Sequence, residues 1–154
     1  MRQPLALVLT LVALTSLGGL PRAGAFDLQF SIPNPGNQFD ANELNILNAA
    51  LLRVERLWET VITGYQPNIS VGTIPITINA TTGGLAAAIY SGTTAQGGYT
   101  LATGGDVSMN VNEIENFANW QGPGANGRNY MDELLAHEVG HVLGIGTLWI
   151  SNGD

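Results

Sequence analysis

The chain contains no cysteine and no lysine, and only two of its 154 residues are histidine. Without cysteine there are no disulfides, so stability has to come from an apolar core, a bound metal or additional chain. The same absence excludes a pro-segment that would block a metal with a thiolate. Five arginines stand against 12 acidic residues, and the net charge of −7 argues against nucleic acid and anionic lipid as partners.

Residues 1–25 have the layout of a secretory signal peptide. Arg2 is followed by an apolar stretch at 5–20 and by the small residues Ala-Gly-Ala at 23–25. A membrane anchor is the alternative, but Thr10, Thr15, Ser16 and a Gly-Gly pair interrupt the stretch, and no later one is long and apolar enough to span a bilayer. We therefore predict a cleaved signal and a secreted protein without a stable membrane anchor. The mature chain would begin near Phe26 and carry three arginines against 12 acidic residues, a net charge of −9.

The first half of the mature chain predicts a strand followed by a long helix. Apolar and polar residues alternate over 26–32, which is typical of a half-buried strand. Asp40 and Glu43 have the spacing of a capping box, and apolar residues then recur at helical spacing until Gly64. Two arginines and two glutamates, Arg53, Glu55, Arg56 and Glu59, are expected on the outer side of this helix as a solvated face without a functional role.

The second half predicts mainly strands before a last helix. Residues 69–79 are β-branched and predict a strand, in which Pro75 indicates an edge position or a bulge. Residues 85–90 fit a short strand or a helical turn, and residues 91–98 fit a loop. Residues 99–102 and 106–112 predict a strand pair around Gly104 and Gly105, and residues 113–120 fit a short helix or a loop. A turn cluster at 122–127 leads into the final helix, and there is no sign of a repeat or of a second domain.

Both histidines belong to the segment His-Glu-Val-Gly-His at 137–141. If residues 132–143 are helical, His137 and His141 lie one above the other on one face, where two imidazoles can bind a single zinc ion. Glu138 can then act on a metal-bound water without being a ligand. A buried histidine pair beside a solvated glutamate is the alternative, but the apolar stripe of the helix and the stop signal at Gly144 favour the metal site.

The sequence H-E-V-G-H-V-L-G-I-G-T-L-W at 137–149 resembles that of the metzincin zinc metalloproteases, most closely the bacterial leishmanolysin-like peptidases. Metzincins carry H-E-x-x-H-x-x-G-x-x-H, which His137, Glu138, His141 and Gly144 match while Thr147 takes the last position. Residues 56–64, R-L-W-E-T-V-I-T-G, also resemble the helix that precedes the motif. The resemblance implies an α+β, zincin-like fold for residues 26–154, with a twisted mixed sheet, a long backing helix and a zinc-ligand helix.

The chain departs from the metzincin pattern after the motif. It has no third histidine, and both later methionines, Met109 and Met131, precede the motif, so that neither matches the methionine-containing turn of the family. The resemblance therefore implies that the third zinc ligand and the C-terminal subdomain follow Asp154, and that residues 26–154 are a truncated catalytic domain.

The resemblance implies a secreted zinc endopeptidase that acts on proteins or peptides. Three imidazoles leave Zn²⁺ an open position for water, which Glu138 deprotonates as the water attacks a peptide carbonyl. Residues 106–112 are our candidate for a sheet edge that pairs with an extended substrate, the alternative being an ordinary edge. Two other interpretations stay open, a gluzincin with a downstream glutamate ligand and an exported binding or surface module. Calcium is possible from the acidity alone, since no EF-hand pattern is present.

Overall fold

The structure is a computed structural model that describes residues 26–120 and 129–153. The predicted signal peptide at 1–25 and the predicted turn cluster at 122–127 lie outside these residues. The described part contains four strands and four α-helices, with short 3₁₀ turns at Pro35–Asn37 and Val111–Glu113. In chain order the elements are β1 (Leu28–Ser31), α1 (Ala41–Val61), β2 (Ile74–Thr81), β3 (Ala86–Gln96), β4 (Tyr99–Asn110), α2 (Ile114–Asn119), α3 (Tyr130–Val142) and α4 (Trp149–Asn152).

The four strands form one mixed sheet in the order β1-β2-β4-β3. The first three strands in that order run parallel, and β3 runs antiparallel to β4. The prediction of an α+β chain with a mixed sheet is confirmed. Because β3 pairs only with β4 in the described sheet, its other side is an edge.

The hairpin of β3 and β4 corrects two sequence predictions. Residues 91–98 were expected to form a loop, but β3 continues to Gln96, and only Gly97 and Gly98 make the turn. Both turn glycines have positive φ angles, 59° and 87°, as a two-residue hairpin turn requires. Gly104 and Gly105 lie within the continuous strand β4 and pair with Gly92 and Tyr90 of β3, although the register of the hairpin shifts on both sides of Gly92.

The position of residues 106–112 is a further correction. We expected them at a sheet edge, but residues 106–110 lie in β4 between β2 and β3, and the last two enter the following 3₁₀ turn. Strand β2 also begins later than predicted, at Ile74 instead of residue 69. Pro75 lies in a central strand, but it precedes the first β2–β4 pair, which is at Ile76. The N–H that proline lacks therefore removes no hydrogen bond from the β2–β4 ladder.

Helix α1 confirms the predicted long helix and its capping box. The Asp40 carboxylate accepts hydrogen bonds from the main-chain N–H groups of Asn42 and Glu43 at 2.8 and 2.9 Å, and the Glu43 carboxylate accepts from the N–H of Asp40. This reciprocal capping box satisfies donors that the first helical turn leaves open. The helix ends at Val61, three residues before the predicted stop at Gly64.

The core lies between one face of the sheet and the helices α1 and α3. Ile76, Ile78, Val107 and Met109 project from the central strands and are fully buried. Gly105 lets α3 approach this face, because a Cβ at that position would lie 2.5 Å from Cγ1 of Val142 and 2.6 Å from the carbonyl oxygen of Ile89. Helix α3 is therefore held close to β3 and β4.

None of the helices in the described ranges combines the length and the apolar character needed to cross a membrane.

Candidate metal centre

Helix α3 carries the histidine motif and begins two residues earlier than predicted. Its first turn is capped by the Asn129 side chain, which accepts a hydrogen bond from the N–H of Asp132 at 3.0 Å. The predicted apolar stripe is confirmed, since Met131, Leu135, Val139 and Val142 are fully buried. The stripe faces the core, and this orientation leaves His137 on the exposed side of the helix.

The end of α3 is a tight turn that orients His141. Gly144 has a φ angle of +101°, its N–H donates to the carbonyl of His141 at 3.1 Å, and the N–H of Ile145 donates to the carbonyl of Gly140 at 2.9 Å. This pair of bonds is the Schellman arrangement, for which glycine is the preferred residue. The turn brings the carbonyl oxygen of Ile145 to 2.9 Å from Nδ1 of His141.

The contact with Ile145 determines the tautomer of His141. A carbonyl oxygen can only accept a hydrogen bond, so Nδ1 carries the proton and the Nε2 atom of a neutral ring is left with a free lone pair. This Nε2 lies 3.0 Å from Nε2 of His137, and the two rings are nearly perpendicular, with an interplanar angle of 81°. The Nε2–H of a neutral His137 can donate to the Nε2 lone pair of His141 at this distance, and a cation between the two nitrogens can take the place of that proton. The geometry therefore suits a shared proton or a bound metal ion.

The donor set fits two ligands of a zinc site. Two imidazoles on one tetrahedral Zn²⁺ place their nitrogens about 3.3 Å apart, so roughly 0.3 Å of side-chain movement would accommodate the ion. Across residues 26–120 and 129–153, no cluster of three or more His, Cys, Asp or Glu side chains has the geometry to hold a metal. Thr147, at the metzincin third-ligand position, instead donates its hydroxyl to the carbonyl of His141 at 2.7 Å.

Glu138 and His137 line a cleft of about 500 Å³ between α3 and the start of β3. Glu138 is only 7% exposed and lines the cleft beside His137. The cleft is within the usual size range of ligand pockets, about 300–1,000 Å³. A separate cleft of 410 Å³ between β1 and α1 contains Glu55 but neither histidine, so the candidate site is the first cleft.

A salt bridge from α1 holds the first turn of α3. Arg53 donates from Nε and Nη2 to the two carboxylate oxygens of Asp132 at 2.8 and 2.7 Å. The Asp132 side chain is 8% exposed and the Arg53 side chain 47% exposed. The hydrogen bond to Asp132 raises the pKa of the Arg53 guanidinium. Arg53 is exposed, as predicted for the outer side of α1, but it also pairs with a buried carboxylate on another helix, which the sequence did not indicate.

The middle of α3 is held from the same side by Trp58. Its indole N–H donates to the carbonyl of Ala136 at 3.3 Å, next to His137 in the chain. The ring lies over Gly140, where a Cβ would come within 3.3 Å of Cζ2. Glycine inside the motif thus allows the indole to contact the helix backbone, and α1 fixes α3 at two points.

The structure brings the three predicted site residues together, while several supporting residues were not foreseen from the sequence. His137, Glu138 and His141 lie on one helix as expected. Asp132 was read only as a favourable charge in the first helical turn, and neither the role of the Ile145 carbonyl nor that of Trp58 was predicted. The only signal for the Ile145 contact was Gly144, which predicts the turn but not the direction of the following carbonyl.

Comparison of the chain with protein-family models, with curated proteins and with solved structures finds no match.

Proposed function

We propose that the chain is a zinc-dependent endopeptidase of the metzincin type, in which His137 and His141 bind the metal and Glu138 is the general base. The observation that carries the proposal is the convergence of the two Nε2 atoms at 3.0 Å, with the His141 tautomer set by the Ile145 carbonyl. The secretory signal proposed for residues 1–25 would take such an enzyme out of the cell.

A zinc ion at this place would polarise a substrate carbonyl and lower the pKa of a bound water toward about 7. With the metal bound, Glu138 would accept the proton of the attacking water and pass it to the leaving amine. The position of Glu138 supports this role, because the residue lines the cleft next to His137. Full zinc affinity needs a third protein ligand besides the two histidines.

The edge of β3 is our candidate for the substrate-binding strand, in place of residues 106–112. Its first residue, Ala86, lines the cleft together with His137 and Glu138. An extended peptide that adds to this edge would run past the histidine pair with its main chain hydrogen-bonded to the sheet.

The test combines metal binding with proteolysis in the full chain. Zinc titration in competition with a chromophoric chelator should show binding in the wild type and its loss in His141→Ala. Glu138→Gln should retain the metal but lower the cleavage rate of a quenched fluorescent peptide by about 10²–10⁴, the usual contribution of a general base. Glu115→Gln is a matched control, because it makes the same charge change on the exposed side of α2.

Two results would contradict the proposal. Zinc affinity that is the same in the wild type and in His141→Ala would show that the histidine pair is not the site. Zinc binding without cleavage of any peptide, or cleavage that Glu138→Gln leaves unchanged, would favour an exported binding module instead.

A further inference from the structure

The cleft beside His137 and Glu138 has a distinct chemical lining. Its lining is apolar at Leu85, Ala86 and Leu134, and the ring of Tyr130 also contributes to it. A single additional acidic side chain, Glu133, lines the cleft away from the histidine motif. Residues 130, 133, 134, 137 and 138 follow helical spacing, so one face of α3 presents the cleft lining and the motif side by side.

Glu133 is half-buried beside apolar walls, where a carboxylate gains from a cationic partner. The one salt bridge among the described residues joins Arg53 to Asp132, so no described cation neutralises Glu133. The whole chain carries a net charge of −7. A cationic side chain from outside is therefore attracted both to the protein and to this position in the cleft.

We infer that this cleft binds an arginine or lysine side chain of the substrate, next to the scissile peptide bond. The inference rests on the proposed function for the position of that bond. An arginine fits each part of the lining, since its aliphatic stem can cover Leu134 and its guanidinium can reach Glu133.

Tyr130 adds a preference for the planar guanidinium. Its ring packs against Phe117 and Trp120, with ring centroids 5.2 and 4.5 Å apart, so this wall of the cleft is held in place. Guanidinium groups stack on such aromatic faces better than the ammonium group of lysine does. A substrate carboxylate at the same position would face Glu133 and be repelled.

The test uses peptide pairs that differ in one residue, arginine or citrulline, which have nearly the same shape but differ in charge. With the zinc-loaded full chain, we expect kcat/KM to be roughly five- to tenfold higher for arginine, as a partly exposed charged hydrogen bond provides. Glu133→Gln should remove this ratio, and the control Glu115→Gln should keep it.

A second measurement separates this inference from the proposed function. Fluorescence anisotropy with the zinc-loaded Glu138→Gln variant gives the Kd of each peptide without any cleavage, and arginine peptides should bind roughly five- to tenfold more tightly. If the wild type cleaves nothing but this difference is present and disappears when Glu133→Gln is added, the protease proposal fails and the cleft assignment stands. Equal Kd values for arginine and citrulline, or a preference that survives Glu133→Gln, would overturn the inference even if cleavage is observed.

Discussion

Replacing Arg53 with methionine should destabilise the protein because it leaves a buried carboxylate on α3 without its partner. A fully buried pair costs about 3–5 kcal/mol when one partner is removed, and an exposed pair about 0–1 kcal/mol. Here the Asp132 side chain is 8% exposed and the Arg53 side chain 47% exposed, and two short hydrogen bonds join them. We therefore expect Arg53→Met to lower the free energy of unfolding by about 2 kcal/mol.

Urea denaturation measures this free energy, and the m-value should not change. Arg56→Met is the matched control, because Arg56 is also exposed on α1 and forms no salt bridge with any described residue. The reverse single variant, Asp132→Leu, should cost less than Arg53→Met, since a half-exposed guanidinium can turn to water and a buried carboxylate cannot.

The double variant Arg53→Met with Asp132→Leu completes a mutant cycle and should be close to the wild type in stability, as expected when apolar side chains replace both partners. If Arg53→Met and Arg56→Met have the same effect, within about 0.5 kcal/mol, the salt bridge does not hold the two helices together as argued.

Two further predictions concern packing and charge. Gly105→Ala should lower the free energy of unfolding, measured in urea, by about 3 kcal/mol, because its Cβ would overlap Val142 and the carbonyl of Ile89. The control Gly83→Ala should have little effect, because a Cβ at Gly83 would lie in open space. Equal effects of the two variants would contradict the close approach of α3. Burial, together with neighbouring carboxylates, raises the pKa of Glu55, so its contribution to stability is greatest below pH 4.5, the ordinary glutamate value, and is lost as the pH rises through the raised pKa. Glu55→Gln should accordingly be more stable than the wild type at pH 7 and equal to it in acid, and a constant difference across thermal melts at several pH values would refute this.

The sequence predicted the helices better than the sheet because helical signals are local. Asp40 and Glu43 lie three residues apart and cap the same turn, so α1 could be predicted from one short segment. Strand identity depends on partners distant in the chain. Residues 91–98 are rich in glycine, serine and threonine and suggest a loop, yet β4 stabilises most of them as a strand through the hairpin. The order of strands, and with it the edge at β3, was not encoded in any local pattern.

The site shows the same division between local and distant information. His137 and His141 could be paired from their spacing alone, because i and i+4 lie on one face of any helix. The residues that hold this helix come from elsewhere. Arg53 lies 79 positions before Asp132, and an arginine on the outer side of a helix is usually solvated. Only the packing of α1 against α3 shows that its charge is used.

The tight turn after α3 links helix termination to ligand orientation. Gly144 ends the helix in a left-handed conformation, and that same conformation aims the Ile145 carbonyl at Nδ1 of His141. The proton on Nδ1 then directs the Nε2 lone pair of a neutral ring toward His137, so the tautomer of His141 follows from the backbone of the turn. Thr147 strengthens the arrangement through its bond to the His141 carbonyl. The short segment from Gly140 to Thr147 is therefore one structural unit with the histidine pair, and its glycines are as much a part of the proposed metal centre as the imidazoles that would bind the ion.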